Sequence, residues 1–274
     1  MPELAEVEFF RRRWQEAVPP STVLRVLVHE RARPLRGVDS AALRRALVGS
    51  RLVSSETAAK QMAFRFSGGA WLGLHLGMSG ELRVEAADFV PGRHDHLVLF
   101  TSRQALVYTD PRMFGRVQFH PSRSAPGWWT KIAPAILGPK FTVKAVAAFL
   151  QRRARAPIKA VLLMQERFPG IGNWMADEIL WRAALHPRRP AGSLRPAEVR
   201  ALWRECRRVC RLALRVMAGR GGPLPPSHNV HIPKTWLFPH RWEAGGRCPR
   251  TGVLLRRATI GGRTTCWSPA RQKL

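Results

Sequence analysis

Acidic residues are scarce in this chain. Only 18 Asp and Glu accompany 46 Lys and Arg, leaving a formal net charge of +28 over 274 residues. A high-GC genome drifts toward Arg and Ala, but that drift does not explain the shortage of acids. A surplus of this size repels itself unless a polyanion neutralises it, which points to nucleic acid. Cysteine is also sparse. The four, Cys206, Cys210, Cys248 and Cys266, form no C-x-x-C pair, and buried free thiols in a reducing compartment are the plain reading. Cys206 and Cys210 stand four apart in a helical stretch and share a face. No run approaches the roughly 20 apolar residues of a membrane span. The start, MPELAEVEFF, places Glu3, Glu6 and Glu8 where a secretory signal would be basic. A cytoplasmic or nucleoid location and no membrane association are expected. There is no internal repeat.

Apolar residues make up 45% of the chain, enough to build real cores. Leu4, Val7 and Phe10 have helical spacing within 3–17. Segments 22–29, 61–66, 70–76, 96–100, 104–109 and 115–119 are short, β-rich and bounded by turn residues, as in a sandwich or barrel. A helix is expected at 40–48 between strands. Pro121, Pro126, Pro134 and Pro139 mark a linker. Beyond it, helical periodicity covers 142–152, 157–165, 173–184 and 196–218. The breaker-rich stretch 219–233 ends the helices, and the last 40 or so residues read as hairpins.

Three places carry candidate chemistry. Removal of Met1 would expose the secondary amine of Pro2. A terminal amine titrates near pH 8, so part of it is uncharged at neutral pH. It can attack a sugar carbon and form an iminium, with Glu3 moving protons. Pro and Glu also suit an ordinary first helical turn. The turns His75-Leu76-Gly77-Met78-Ser79-Gly80 and Asp110-Pro111-Arg112-Met113-Phe114-Gly115 present Met78, Phe114 and Arg112. Apolar wedges and a donor are what an enzyme that flips a nucleotide needs. Core positions for Met78 and Phe114, with Arg112 paired to Asp110, are the bland alternative. Finally, Pro169-Gly170-Ile171-Gly172-Asn173 opens a helix, with Asn173 as N-cap or phosphate donor. A plain helix–turn–helix connection fits this passage too.

Together and in this order, these segments resemble the formamidopyrimidine-DNA glycosylase/endonuclease VIII family over nearly the whole chain. MPELAEVE resembles the family start, with Ala5 where proline is usual. AAKQMAFRF is similar to the segment carrying a phosphate-contacting lysine, here Lys60. LHLGMSGELRV resembles the turn with the wedge methionine, here Met78, and contains His75. HDHLVLF and VYTDPRMFGR are similar to the segment with the opposite-base arginine, Arg112, and the wedge Phe114. MQERFPGIGNWMADEILWRAALHP resembles the helix–two-turn–helix, with Asn173 at the phosphate-binding asparagine. GGRTTCWSPARQ resembles the last hairpin of the finger, with Arg263 at the DNA-binding arginine. The resemblance implies a catalytic set of Pro2, Glu3, Lys60 and Arg263. It implies a DNA-binding set of His75, Met78, Arg112, Phe114 and Asn173, and Glu6 as a carboxylate orienting the N-terminal helix.

The finger departs from the four-cysteine zinc pattern of many members. Cys248-Pro249-Arg250-Thr251 keeps one ligand of the first pair, and Ser268-Pro269-Ala270-Arg271 keeps none of the second. Cys266 lies two residues out of register. A zincless finger with no metal and no cofactor is expected, packed instead around Trp236, Phe238, Trp242 and Trp267. Segment 223–242 is rich in Pro and His and differs from the family loop that caps 8-oxoguanine. The implied fold is an α+β multidomain chain. Residues 1–120 form an N-terminal catalytic β-sandwich with flanking helices, and 121–140 a linker. Residues 141–233 form a helix–two-turn–helix domain, and 234–274 a zincless β-hairpin finger. The implied protein is a monomer acting on damaged double-stranded DNA as a bifunctional glycosylase and lyase. A non-catalytic DNA- or RNA-binding paralogue is the alternative, since a ribosomal protein shares the helix–two-turn–helix.

Overall fold

The computed structural model describes residues 1–17, 21–242 and 244–274. They form two compact units, Met1–Ile132 and Ala133–Leu274.

The first unit begins with helix α1 (Leu4–Ala17). Its buried residues Ala5, Phe9, Phe10 and Trp14 recur at helical spacing and make one apolar face. Trp14 packs on Phe64 with ring centroids 5.1 Å apart, and its indole N–H donates to the Arg83 carbonyl at 3.0 Å. Strand β1 (Arg25–Val28), a 3-10 turn (Arg33–Leu35) and helix α2 (Ser40–Leu47) follow. Asp39 caps α2 by accepting from the Ala42 N–H at 2.9 Å. Then come β2 (Leu52–Ala58), β3 (Gln61–Phe66), β4 (Trp71–His75), β5 (Glu81–Ala86), β6 (Asp95–Phe100), β7 (Gln104–Thr109) and β8 (Arg116–His120). Helix α3 (Gly127–Thr130) sits within the proline-rich stretch.

These strands make two antiparallel four-stranded sheets, ordered β1-β6-β7-β5 and β2-β3-β4-β8. Helix α1 packs on β5 of one sheet and on β2 and β3 of the other. Strand β6 is buried along its whole length, which accounts for its unbroken apolar run. The chain passes between sheets three times: after β1, after β4 and after β7. The last two crossings are the short turns at 76–80 and 110–115.

The second unit holds α4 (Val143–Arg152), α5 (Ile158–Leu162), α6 (Asn173–Arg182), α7 (Pro196–Ala218), α8 (Leu237–His240) and the antiparallel hairpin β9 (Arg256–Ile260) and β10 (Arg263–Trp267). Thr142 caps α4 through Ala145 N–H at 3.1 Å. Pro196 opens α7, the Glu198 carboxylate accepts from Arg195 N–H at 2.8 Å, and Gly219 ends it in the left-handed region. Hydrogen bonds, chiefly from Arg189, hold the Glu198 carboxyl down at about 2. Cys206 and Cys210 are both buried on the same face of α7. The hydrophobic centre of α6 is Trp181, which packs with Leu237 and Cys248.

The aromatic core of the finger differs from expectation. Trp236 and Trp267 are buried, but Trp242 is 58% exposed. The missing ring comes from α6. Trp174 lies edge-on to Phe238 at 4.8 Å and stacks on Trp236 at 6.4 Å. Trp242 still meets Phe238 edge-on at 5.6 Å, so the C-terminal segment packs on the helical layer as well as on its own aromatics.

Candidate active site and nucleic-acid interface

In the first unit, Pro2 is partly exposed at the mouth of α1, with exposed Met1 ahead of it. Glu3 is buried, and its backbone N–H donates to Glu6 Oε2 at 3.2 Å. Val7 N–H donates to the Glu3 carbonyl at 2.9 Å. A third-position carboxylate reaching back to the residue before the helix is half of a capping box. Glu6 thereby fixes the backbone that carries Pro2 and Glu3, which agrees with the orienting part expected of it.

Lys60 follows Ala59, whose φ of 56° makes the β2–β3 turn, and it is only 8% exposed. His75 ends β4 in register with Gln61 on β3 and Arg116 on β8, so these three form one row across the sheet. Burial first, then the Lys60 ammonium, pushes the His75 imidazole below its ordinary pKa. Its Nδ1 accepts from Gly77 N–H at 3.1 Å. A neutral ring with Nδ1 accepting carries its proton on Nε2 and is a donor at neutral pH.

The two inter-sheet turns are one assembly organised by Asp110, which is fully buried. Its carboxylate accepts from Ser79 Oγ at 2.6 Å and from Gly115 N–H at 2.7 Å. Ser79 Oγ in turn accepts from Arg112 N–H at 3.2 Å. Burial first, then the Asp110 carboxylate, pushes the Tyr108 phenol well above its usual range. Two glycines permit this approach. A Cβ on Gly77, whose φ is +61°, would lie 2.4 Å from the Phe114 carbonyl carbon, and one on Gly115 would lie 2.0 Å from the Tyr108 hydroxyl. Asp110 therefore does not pair with the Arg112 side chain. Met78 is 40% exposed and Phe114 45% exposed, so neither is a core residue. Arg112 is also exposed, and its guanidinium lies 5.0 Å from the Phe114 ring. The guanidinium of Arg33, from the first crossing, lies 5.7 Å from the same ring. A groove of about 550 Å³ beside Phe114 is lined by Arg33, Arg36, His75, Arg116 and Gln118 among others. All three crossings thus converge on one cationic surface.

In the second unit, Asn173 is the first residue of α6 and not its N-cap. Gly172 holds the cap position in extended backbone, with no side-chain cap. The Asn173 side chain turns instead to the hairpin, where Nδ2 donates to the Thr264 carbonyl at 2.8 Å. Arg263 is the neighbouring residue, exposed at the start of β10. One hydrogen bond therefore joins the N-terminus of α6 to the strand that presents Arg263. Beneath it lies a buried network that the sequence did not reveal. Asp177 accepts from Lys159 Nζ at 2.5 Å, from Arg241 at 2.7 Å and 3.1 Å, and from Cys266 N–H at 3.1 Å. Lys159 also donates to the Asn173 carbonyl at 2.6 Å. The signals were an isolated lysine and an isolated aspartate, each unremarkable alone.

The finger residues do not fit a zinc ion. Cys248 is buried and accepts from the Trp181 indole N–H at 3.4 Å. Burial raises its thiol pKa, but hydrogen bonds from Ser268, Thr251 and Trp181 bring it down to about 7. Arg271, at the last ligand position, donates to the Trp181 carbonyl at 3.3 Å and 3.4 Å. A guanidinium, a lone thiol and two hydroxyls are not a tetrahedral ligand set.

Comparison with known proteins agrees with these features. Residues 1–117 match the formamidopyrimidine-DNA glycosylase N-terminal domain, and residues 132–221 match the formamidopyrimidine-DNA glycosylase H2TH domain. A formamidopyrimidine-DNA glycosylase of Halorhodospira halophila is 35% identical over 277 residues, covering all of both chains. One from Thermus thermophilus is 35% identical over 279 residues, covering 99% of this chain and 98% of its own. The fold is shared with a Lactococcus lactis enzyme in complex with DNA containing an oxidised pyrimidine, at a TM-score of 0.85 and 24% identity over the full length of both chains. A MutM in complex with DNA containing carbocyclic 8-oxo-G matches at 0.84 and 25%, again over both full chains. The chain belongs to the formamidopyrimidine-DNA glycosylase family. Among the described residues, no helix is long and apolar enough to cross a membrane.

Proposed function

We propose that this protein is a bifunctional DNA glycosylase and abasic-site lyase of base-excision repair, acting on oxidised bases in double-stranded DNA in the cytoplasm or nucleoid. The observation that carries the reading is the N-terminal arrangement: a partly exposed Pro2 beside a buried Glu3, both on a turn fixed by Glu6. Family membership supports it. With Met1 removed, the Pro2 nitrogen attacks sugar C1′ and the C1′–base bond breaks, the base leaving with its electron pair and a proton. Glu3 supplies and takes back protons as the sugar ring opens to the iminium. Loss of the C2′ proton then expels the 3′ phosphate by β-elimination, and a second elimination releases the 5′ phosphate. Met78, Arg112 and Phe114 fill the space of the flipped nucleotide, while Lys60, His75, Asn173 and Arg263 hold phosphates around it. Borohydride should trap a covalent complex with abasic-site DNA. Pro2→Gly keeps an amine and retains some trapping, whereas an N-terminal extension abolishes it. Full trapping by the extended protein would refute Pro2 as nucleophile.

A further inference from the structure

The residues assigned to the lesion account for little of the +28 charge. Some of the remainder is gathered on one face of one element. Helix α7, PAEVRALWRECRRVCRLALRVMA, carries Arg200, Arg204, Arg207, Arg208, Arg211 and Arg215 against Glu198 and Glu205. At a helical repeat of about 3.6 residues, positions 200, 204, 208, 211 and 215 fall on one side. All five are exposed. The opposite side buries Val199, Leu202, Cys206, Val209 and Ala213, and α7 packs on α6 and α4. Because α6 holds Asn173 at its N-terminus, the arginine ridge faces away from the packing that orders the Asn173–Arg263 surface.

Among the described residues, the ridge is only sparsely paired. Glu205 reaches Arg204 and Arg208 only at 3.9 Å and 3.8 Å. Among the described residues, no carboxylate lies within ion-pair distance of Arg200, Arg211 or Arg215. Beside the ridge runs a groove of about 550 Å³ lined by Arg208, Arg211, Arg215, Arg220 and Leu137. Its wall is held in place by Arg207, whose guanidinium donates to the carbonyls of Ile136, Leu137 and Gly138 at 3.0–3.3 Å. The inner arginine is spent on structure, and the outer five share one carboxylate, Glu205, among the described residues.

We propose that the α7 ridge and its groove bind the phosphodiester backbone of a second DNA segment, separate from the duplex that carries the lesion. The ridge from Arg200 to Arg215 is about 22 Å long. That length matches roughly six base-pair steps along a duplex axis, enough to meet several phosphates. Guanidinium groups match phosphate oxygens in planar, paired geometry. The ridge itself carries no aromatic anchor of the kind that dominates protein interfaces, which favours a phosphate backbone over an acidic protein.

The test uses the full-length protein and two labelled duplexes, one with a lesion and one undamaged, read by fluorescence transfer between them. The triple variant Arg208→Gln, Arg211→Gln, Arg215→Gln removes charge while keeping good helix formers, and Lys at the same positions controls for fold. Wild type saturated with the lesion duplex should recruit the second duplex. The Gln variant should lose that recruitment at least tenfold, with the salt slope of log K lower by about 2.7 for three lost phosphate contacts. Excision on the short lesion duplex should be unchanged, and the Lys variant should still recruit. Recruitment is a binding measurement and stands apart from the chemistry at Pro2. Undiminished recruitment by the Gln variant would overturn the proposal. So would a lower salt slope on the lesion duplex alone, or poly-glutamate displacing the second duplex at equal charge.

Discussion

Replacing Asp177 with asparagine keeps the side chain's size and removes its charge. Lys159 and Asp177 are fully buried, and Arg241 nearly so. One carboxylate thus faces two cations, and the variant removes the negative charge that both of them bind. Breaking a buried pair by removing one partner costs on the order of 3–5 kcal/mol, because the remaining charge is desolvated and unpaired. Unfolding of a chain of this size shifts by about 2–4 °C per kcal/mol. The melting temperature should therefore fall by roughly 6–20 °C, read by circular dichroism. Lys159→Met is the counterpart. It leaves a neutral Arg241–Asp177 pair and should cost less than the asparagine variant, although the Asn173 carbonyl loses its donor. The asparagine also weakens the acceptor of Cys266 N–H on β10. Lesion-duplex affinity should drop even at temperatures where the variant is folded, because the strand presenting Arg263 loses an anchor. Melting within about 2 °C of wild type, or a costlier Lys159→Met, would refute this electrostatic account.

Phe114→Ala should slow excision of a damaged base more than cleavage of a preformed abasic site, because a missing base removes part of the few kcal/mol needed to unstack it; equal losses would make Phe114 only a packing residue. Arg112→Ala should blunt discrimination between opposite bases in the same assay. Lys60→Ala should lower the salt slope of log K by about 0.9 if the ammonium meets a phosphate, and an unchanged slope would remove it from the contact surface. Elemental analysis should find no stoichiometric zinc, and chelators should leave activity intact, since Cys248 stands among Thr251, Ser268 and Arg271; one zinc per chain lost together with activity would contradict this.

The strongly periodic elements were legible in the sequence. Helix α1, strands β3, β6 and β7 and helices α4, α6 and α7 lie within a few residues of where apolar spacing places them. Two strands were not. LVSSETA of β2 is mostly polar and only partly buried, so it carries no apolar alternation. ELRVEA of β5 places charges on one face, where Arg83 bridges Glu85 at 2.9 Å and Asp95 at 2.7 Å. A strand whose outward face is charged reads locally as a loop, because its Asp95 partner and the strand it pairs with, β7, lie elsewhere in the chain. The candidate site divides the same way. Met78, Arg112, Phe114 and Arg263 sit in motifs whose turn residues are local, so the turns could be read directly, although core positions for Met78 and Phe114 fitted the residues as well until their exposure was seen. The groups that hold them are Asp110 and Asp177, and neither has a local signature. Asp110 accepts from Gly115 within its own turn but ties the two turns together through Ser79, far upstream, and Asp177 acts through Arg241, far downstream. Asn173 was misplaced by one position for a related reason. Its nearest competitor for the helix cap is a glycine, and its side-chain partner, Thr264, is 91 residues away. A carboxylate or amide that organises a site through distant partners is visible only once the chain has folded. The sequence therefore shows which turns carry the candidate side chains well before it shows what keeps them in place.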